Sequence, residues 1–69
     1  MPTVMVTVNE GAPPQAYEEA KEKFSDGGII VNEAEYFKRF YVQYKVVPAY
    51  VSGNHTHLTV EHDQEVKTQ

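Results

Sequence analysis

Apolar and polar side chains alternate in two segments of this chain, residues 3–8 and residues 55–62. Alternation with a period of two puts apolar side chains on one face of a strand, so each segment is predicted to be a half-buried β-strand. The side chains expected to face the core from these strands are Val4, Val6, Val8, Leu58, Val60 and His62. A second layer has to cover such a face, which limits the folds open to the chain.

A helix is predicted over residues 14–25, which are mostly good helix formers. Pro13 and Pro14 suit its first turn, where backbone N–H groups have no partner inside the helix. The sequence Asp-Gly-Gly that follows is typical of a helix end, because glycine adopts the left-handed backbone conformation needed there. The apolar stripe of this helix consists of Tyr17, Ala20 and Phe24.

The middle of the chain is ambiguous between helix and strand. Residues 28–31 predict a short buried strand, and Asn32 with Glu35 has the spacing of a helix-capping pair. We predict a helical turn around residues 33–38.

A long strand is predicted over residues 39–51, because the even-numbered positions from Phe40 to Val46 are apolar. A helix over residues 39–47 is the alternative. Pro48 lacks the N–H that a central strand would donate, so it predicts an edge, a bulge or a bend. The sequence Ser-Gly-Asn at residues 52–54 predicts a hairpin turn into the last strand.

These elements predict an α+β fold, with one main helix packed on a small, mostly antiparallel sheet of three to four strands. The 69 residues suffice for a single domain, and we expect a polar, frayed tail from about residue 63. Cysteine is absent, so no disulfide stabilises this small core. Neither a charged leader nor a long apolar run is present, and a cytoplasmic protein without a membrane partner is the expectation.

Charge and aromatic residues are segregated along the chain. Residues 36–60 contain no acid, three cations and six of the eight aromatic residues, whereas residues 1–35 carry seven acids and two lysines. This aromatic and basic segment, within a chain of net charge −4, predicts one surface for contact and another for solvation.

Enzymatic activity is not expected. Ser25 and Ser52 lack an assigned base, and the two adjacent glycines precede a strand rather than the helix that a phosphate-binding loop requires. His55 and His57 would share one strand face about 7 Å apart, the spacing of two metal ligands. No further ligand is assigned, so we predict a solvated strand face and no metal or other cofactor.

We therefore predict a small, non-enzymatic interaction or regulatory protein, with inhibition of its partner as one mode of action. It would bind a protein through an aromatic and basic strand face. A single-stranded DNA or RNA binder that uses this face is the alternative. A homodimer that pairs through the edge of the same strand is a further option. The predicted contact residues are Lys38, Arg39, Tyr41, Gln43 and Lys45.

Overall fold

The structure is a computed structural model that describes residues 1–63. Its sheet has four strands in the order β2-β3-β1-β4, and every neighbouring pair is antiparallel. One helix, α1, packs on the sheet, so the predicted α+β fold is confirmed. The elements are β1 (Thr3–Val8), α1 (Ala16–Phe24), β2 (Gly28–Ala34), β3 (Arg39–Tyr44) and β4 (Leu58–Asp63), with 3-10 turns at Glu35–Phe37 and Ala49–Ser52.

The core lies between α1 and one face of the sheet. β1 alternates as its sequence predicts, with every second side chain buried. The ring of Phe40 stands edge-on to Tyr17 at 5.9 Å and to Phe24 at 6.2 Å between centroids, which joins β3 to the apolar stripe of the helix. The buried apolar residues are Val4, Val6, Val8, Tyr17, Ala20, Phe24, Phe40, Val42, Tyr44 and Val51.

The helix begins two residues later and ends one residue earlier than predicted. Gly27 has φ +86°, so the left-handed conformation expected after the helix is present. Gly28 starts β2 against the core, where a Cβ atom would lie 2.5 Å from the ring of Tyr44. The helix therefore passes into β2 through two glycines with different tasks, one conformational and one steric.

The predicted long strand over residues 39–51 is wrong in its second half. β3 ends at Tyr44, and Val46, which the alternation assigned to the core, is 80% exposed. Pro48 precedes the 3-10 turn that buries Val51, and Tyr50 donates its hydroxyl to the carbonyl oxygen of Lys23 at 2.9 Å. The chain turns here because these side chains close the open end of the core, which an extended strand would leave exposed.

The predicted hairpin between residues 39–51 and 55–62 is also wrong. β4 pairs with β1 instead, on the side opposite β3. β3 is therefore a central strand, and the expectation of a free edge at β3 next to Pro48 does not hold.

β2 is longer than predicted and forms a hairpin with β3, with an irregularity in register between Ile30 and Asn32. The helical turn expected around residues 33–38 is the 3-10 turn that connects these strands, and Lys38 closes it at φ 53°. His62, expected to face the core, is exposed although it pairs with Val4. Of the expected tail, Asp63 belongs to β4, and residues 64–69 lie outside the described residues.

Candidate functional site

One face of the sheet has no layer over it in the described part of the chain. Residues directly opposite in an antiparallel pair share a face, so the strand registers identify the side chains that point away from α1. We call this surface the uncovered face. Its described members are Ile29, Asn32 and Ala34 of β2, Arg39, Tyr41 and Gln43 of β3, Thr3, Met5 and Thr7 of β1, and Thr59 and Glu61 of β4.

Tyr41 and Met5 form the centre of the uncovered face. They are paired across β3 and β1, and the row continues to Asn32 on one side and Glu61 on the other. Tyr41 and Met5 are half-buried by their neighbours on the sheet, whereas Asn32 and Glu61 are exposed. The face thus has an apolar centre with polar residues around it, a distribution that is common in protein–protein interfaces.

Arg39 is held in place at one end of this face. Its Nε donates to the Thr7 hydroxyl oxygen at 3.2 Å, and its guanidinium carbon lies 6.0 Å from the centroid of the Phe37 ring. These contacts restrict the side chain before any partner binds, so less rotamer entropy is lost on binding. They also connect the uncovered face to the β2–β3 connection.

Two exposed aromatic residues occupy that connection. Tyr36 is 90% exposed and Phe37 is 61% exposed, and their rings meet edge to face at 5.1 Å. We call this pair the aromatic tip. Sequence reasoning missed both residues as contact residues because the segment was interpreted as a helical turn around residues 33–38. The available signal was two adjacent aromatic residues between two strands, since loops that connect rigid elements often carry binding residues.

The five predicted contact residues separate into two groups. Arg39, Tyr41 and Gln43 are half-buried on the uncovered face, all from β3. Lys38 lies at the aromatic-tip end of β3 and Lys45 lies one residue beyond its other end, and both are exposed. The two lysines are thus separated by the length of the strand, about 20 Å. The structure places three predicted residues together and the two lysines at opposite ends.

A charged group on the helix side of the sheet has a structural role. Tyr17 and Lys21 donate to the same Glu33 carboxylate oxygen at 3.0 and 3.1 Å, which ties α1 to β2. Burial, followed by the hydrogen bond to Glu33, raises the pKa of Tyr17 to about 12. The hydrogen bonds from Lys21 and then Tyr17 lower the pKa of Glu33. These hydrogen bonds hold helix and sheet together.

The histidines do not form the arrangement expected from the alternation. β4 begins only at Leu58, and His57 has φ 71°, so His55 and His57 do not share a strand face. His55 packs against Phe24 at 5.1 Å between ring centroids, and its Nε2 lies 2.9 Å from the carbonyl oxygen of Tyr50. Among residues 1–63 no group of three or more His, Cys, Asp or Glu side chains is placed to hold a metal ion.

A surface depression of about 580 Å³ is lined by Glu22, Lys23, Ser25, Asp26 and Tyr50 at the end of α1. Ser25 donates its hydroxyl to the carbonyl oxygen of Glu22 at 3.1 Å, as a helix-end serine does. A second depression, about 360 Å³, lies between the aromatic tip and the β1–α1 loop with its two prolines. The second one borders the candidate surface and extends it around the tip.

Comparison of the chain with protein-family models, with curated proteins and with solved structures found no match. No helix in the described part of the chain is long and apolar enough to cross a membrane.

Proposed function

We propose that this protein is a small, non-enzymatic interaction protein that binds a protein partner through the uncovered face and regulates or inhibits that partner. The observation that carries the proposal is the pair Tyr41 and Met5 at the centre of a sheet face that no layer formed by residues 1–63 covers. Tyrosine and arginine dominate the binding energy of many protein interfaces, and Tyr41 and Arg39 lie on this face together.

The size of the surface sets the expected affinity. Four strands about 4.8 Å apart and six residues long give a face of roughly 15–20 Å on each side, on the order of 300–400 Å². A standard interface buries about 800 Å² on each partner. The uncovered face alone is therefore about half a standard interface, and Tyr36 and Phe37 at the aromatic tip enlarge it. A weak or regulated complex fits this size better than a permanent one.

The charges indicate the chemistry of the partner. Arg39 lies on the face at β3, with Lys38 and Lys45 beyond the two opposite ends of that strand, whereas Glu61 lies on the β4 side. A partner with acidic residues opposite β3 would be steered to this side, and the steering would weaken as salt is added. Tyr41 would supply the apolar anchor, with Arg39 already positioned beside it.

An affinity capture with matched variants tests the proposal. Proteins retained by the wild-type chain should be lost with Tyr41→Ala and with Arg39→Ala. They should be retained with Lys23→Ala, which removes a cation from the exposed side of α1. Circular dichroism checks that each variant is folded. Equal retention by all folded variants would rule out the uncovered face as the binding site.

Single-stranded nucleic acid is the second candidate ligand, and one observation favours it. Tyr41 and Arg39 stand on one sheet face, as the stacking and phosphate-binding residues of such proteins do. Three phosphate contacts predict a log–log salt slope of only about −2 for a single strand. Fluorescence anisotropy with a labelled oligonucleotide at low and moderate salt measures this slope, and the absence of binding at low salt would exclude nucleic acid.

A further inference from the structure

The two edge strands of the sheet formed by residues 1–63 differ in their chemistry. β4 is one edge strand, and the sequence at its end, Glu-His-Asp, is polar and charged. β2 is the other, and its Ile29 and Val31 side chains are 64% and 49% exposed. Lysine and proline, which natural proteins place on edge strands to block pairing, are both absent from β2. The strand does carry the register irregularity between Ile30 and Asn32, so Ile29 and Asn32 point to the same face although three positions separate them. Its only charged residue is Glu33, whose carboxylate binds Tyr17 and Lys21.

Exposed apolar groups concentrate along the border formed by β2. Met1, at 55% exposure, lines the same depression as Ile29, next to Gly28. The aromatic tip follows the other end of the strand, beyond Ala34. An unpaired row of backbone groups flanked by apolar side chains is a template for one more strand.

We propose that β2 pairs with β2 of a second copy of this chain, antiparallel across a two-fold axis, so that the two four-stranded sheets become one continuous sheet. The axis passes between Ile30 and Val31. In this register Ile29 lies opposite Asn32 of the second copy, and both belong to the uncovered face. Gly28 lies opposite Glu33 of the second copy, and both belong to the helix-covered face. Each face of one sheet thus continues into the same face of the other.

Charge complementarity favours a second copy over an unrelated strand. The antiparallel arrangement puts the Ala34 end of each β2 beside the Gly28 end of the other. Glu35 and Lys38 follow the first end, whereas Asp26 and Lys45 lie at the second, and all four are exposed. Each end therefore carries one acid and one base, so opposite charges are available at both ends of the pairing, and the two-fold symmetry repeats them.

Charge repulsion between the two copies of Glu33 is avoided in this register. The two Glu33 side chains would be about five residues apart along the strands, roughly 17 Å, so their charges do not meet. Self-association also supplies what a chain of this length without cysteine lacks, since small domains gain stability from oligomerisation. The two uncovered faces would lie side by side and double the surface available to a partner.

Sedimentation equilibrium from low to high micromolar concentration tests the pairing without reference to any partner. The wild-type chain should show a monomer–dimer equilibrium. Val31→Lys places a cation beside its symmetry mate near the axis and should weaken dimerisation by at least about tenfold. The matched control is Val46→Lys, the same change at an 80% exposed valine outside the strands, and it should dimerise like the wild type.

Ile29→Lys provides a second edge variant in case Val31→Lys does not fold. A wild-type chain that remains monomeric at high micromolar concentration would overturn the proposal. So would a dimer that both edge variants leave intact, or one that Val46→Lys disrupts equally. Loss of the dimer with retained partner capture would separate this inference from the proposed function.

Discussion

The helix-covered face and the uncovered face are built from the same strands, yet their side chains contribute to different properties. On the covered face Val6, Phe40 and Val42 have no exposed surface, and their apolar area is removed from water by α1. On the uncovered face Met5 and Tyr41 are half-buried, and no layer formed by residues 1–63 lies over them. The first face therefore supplies most of the free energy of folding, and the second keeps an apolar centre available for contact.

The largest expected difference in the free energy of unfolding is between alanine variants of two phenylalanines three positions apart. Phe40→Ala should lower the free energy of unfolding by about 3–5 kcal/mol, because the ring is fully buried against Tyr17 and Phe24. A domain this small has only about 3–5 kcal/mol to lose, so cooperative unfolding should disappear. Phe37→Ala, at a 61% exposed position, should leave urea denaturation nearly unchanged. Similar effects of both changes on stability would contradict the burial of Phe40 and the exposure of Phe37.

Gly28→Ala tests how closely β2 approaches the covered face. The new Cβ would lie 2.5 Å from the Tyr44 ring and 2.8 Å from the Val42 side chain, both fully buried. We expect a loss of about 1–3 kcal/mol from overpacking. Gly53→Ala is the control, because its Cβ would be 3.4 Å from the nearest atom at a φ of −79°. Denaturation curves that rank the two variants equally would show that β2 lies farther from the core.

Tyr41→Ala sharpens the comparison from the uncovered side. Removal of this half-buried ring should cost about 1 kcal/mol or less in stability, while partner binding is lost. Tyr44→Ala, on the covered face, should cost about 3–5 kcal/mol, because its ring is fully buried and its hydroxyl donates to the Phe24 carbonyl oxygen at 2.5 Å. Urea denaturation measures both, and a destabilisation by Tyr41→Ala as large as that by Tyr44→Ala would place Tyr41 in the core.

The smallest expected effect is a pH dependence from Glu33 at the border of the covered face. Its pKa is lowered from 4.5 in the folded chain by hydrogen bonds from Lys21 and Tyr17. A carboxyl of lowered pKa stabilises the fold above its unfolded pKa, and this contribution is lost as pH falls through the folded value. The free energy of unfolding should therefore decline on acidification below pH 4.5. The decline should be shallower in Glu33→Gln and unchanged in the exposed control Glu19→Gln.

The fold class and most of the core were predictable from the sequence. The alternation in β1 and the apolar stripe of α1 are local patterns, and each predicts one apolar face that packs against the other layer. The structure buries those residues as predicted. Alternation failed where the chain bends. Val46 continues the pattern of β3, but the strand has ended, and residues 49–52 fill the end of the core as a 3-10 turn.

The candidate site was predictable only in part. The face of Arg39, Tyr41 and Gln43 follows from period two once β3 is a strand. The exposure of Tyr36 and Phe37 depends on the β2–β3 hairpin, which the capping pattern of Asn32 and Glu35 obscured. Apolar residues in a turn give no local sign of whether they pack inward.

The sequence by itself determined the secondary structure of β1 and α1, the central segment of β3 and the side of each that is apolar, because these depend on neighbours one to seven positions apart. Only the tertiary structure decided that β4 pairs with β1, that β3 is central and that β2 is an open apolar edge. Strand order depends on contacts between residues that are distant in sequence, such as Val6 with both Phe40 and Val60. These residues all have to pack against the same helix. No local pattern encodes that choice, because every strand of this sheet presents an apolar face that would suit several neighbours.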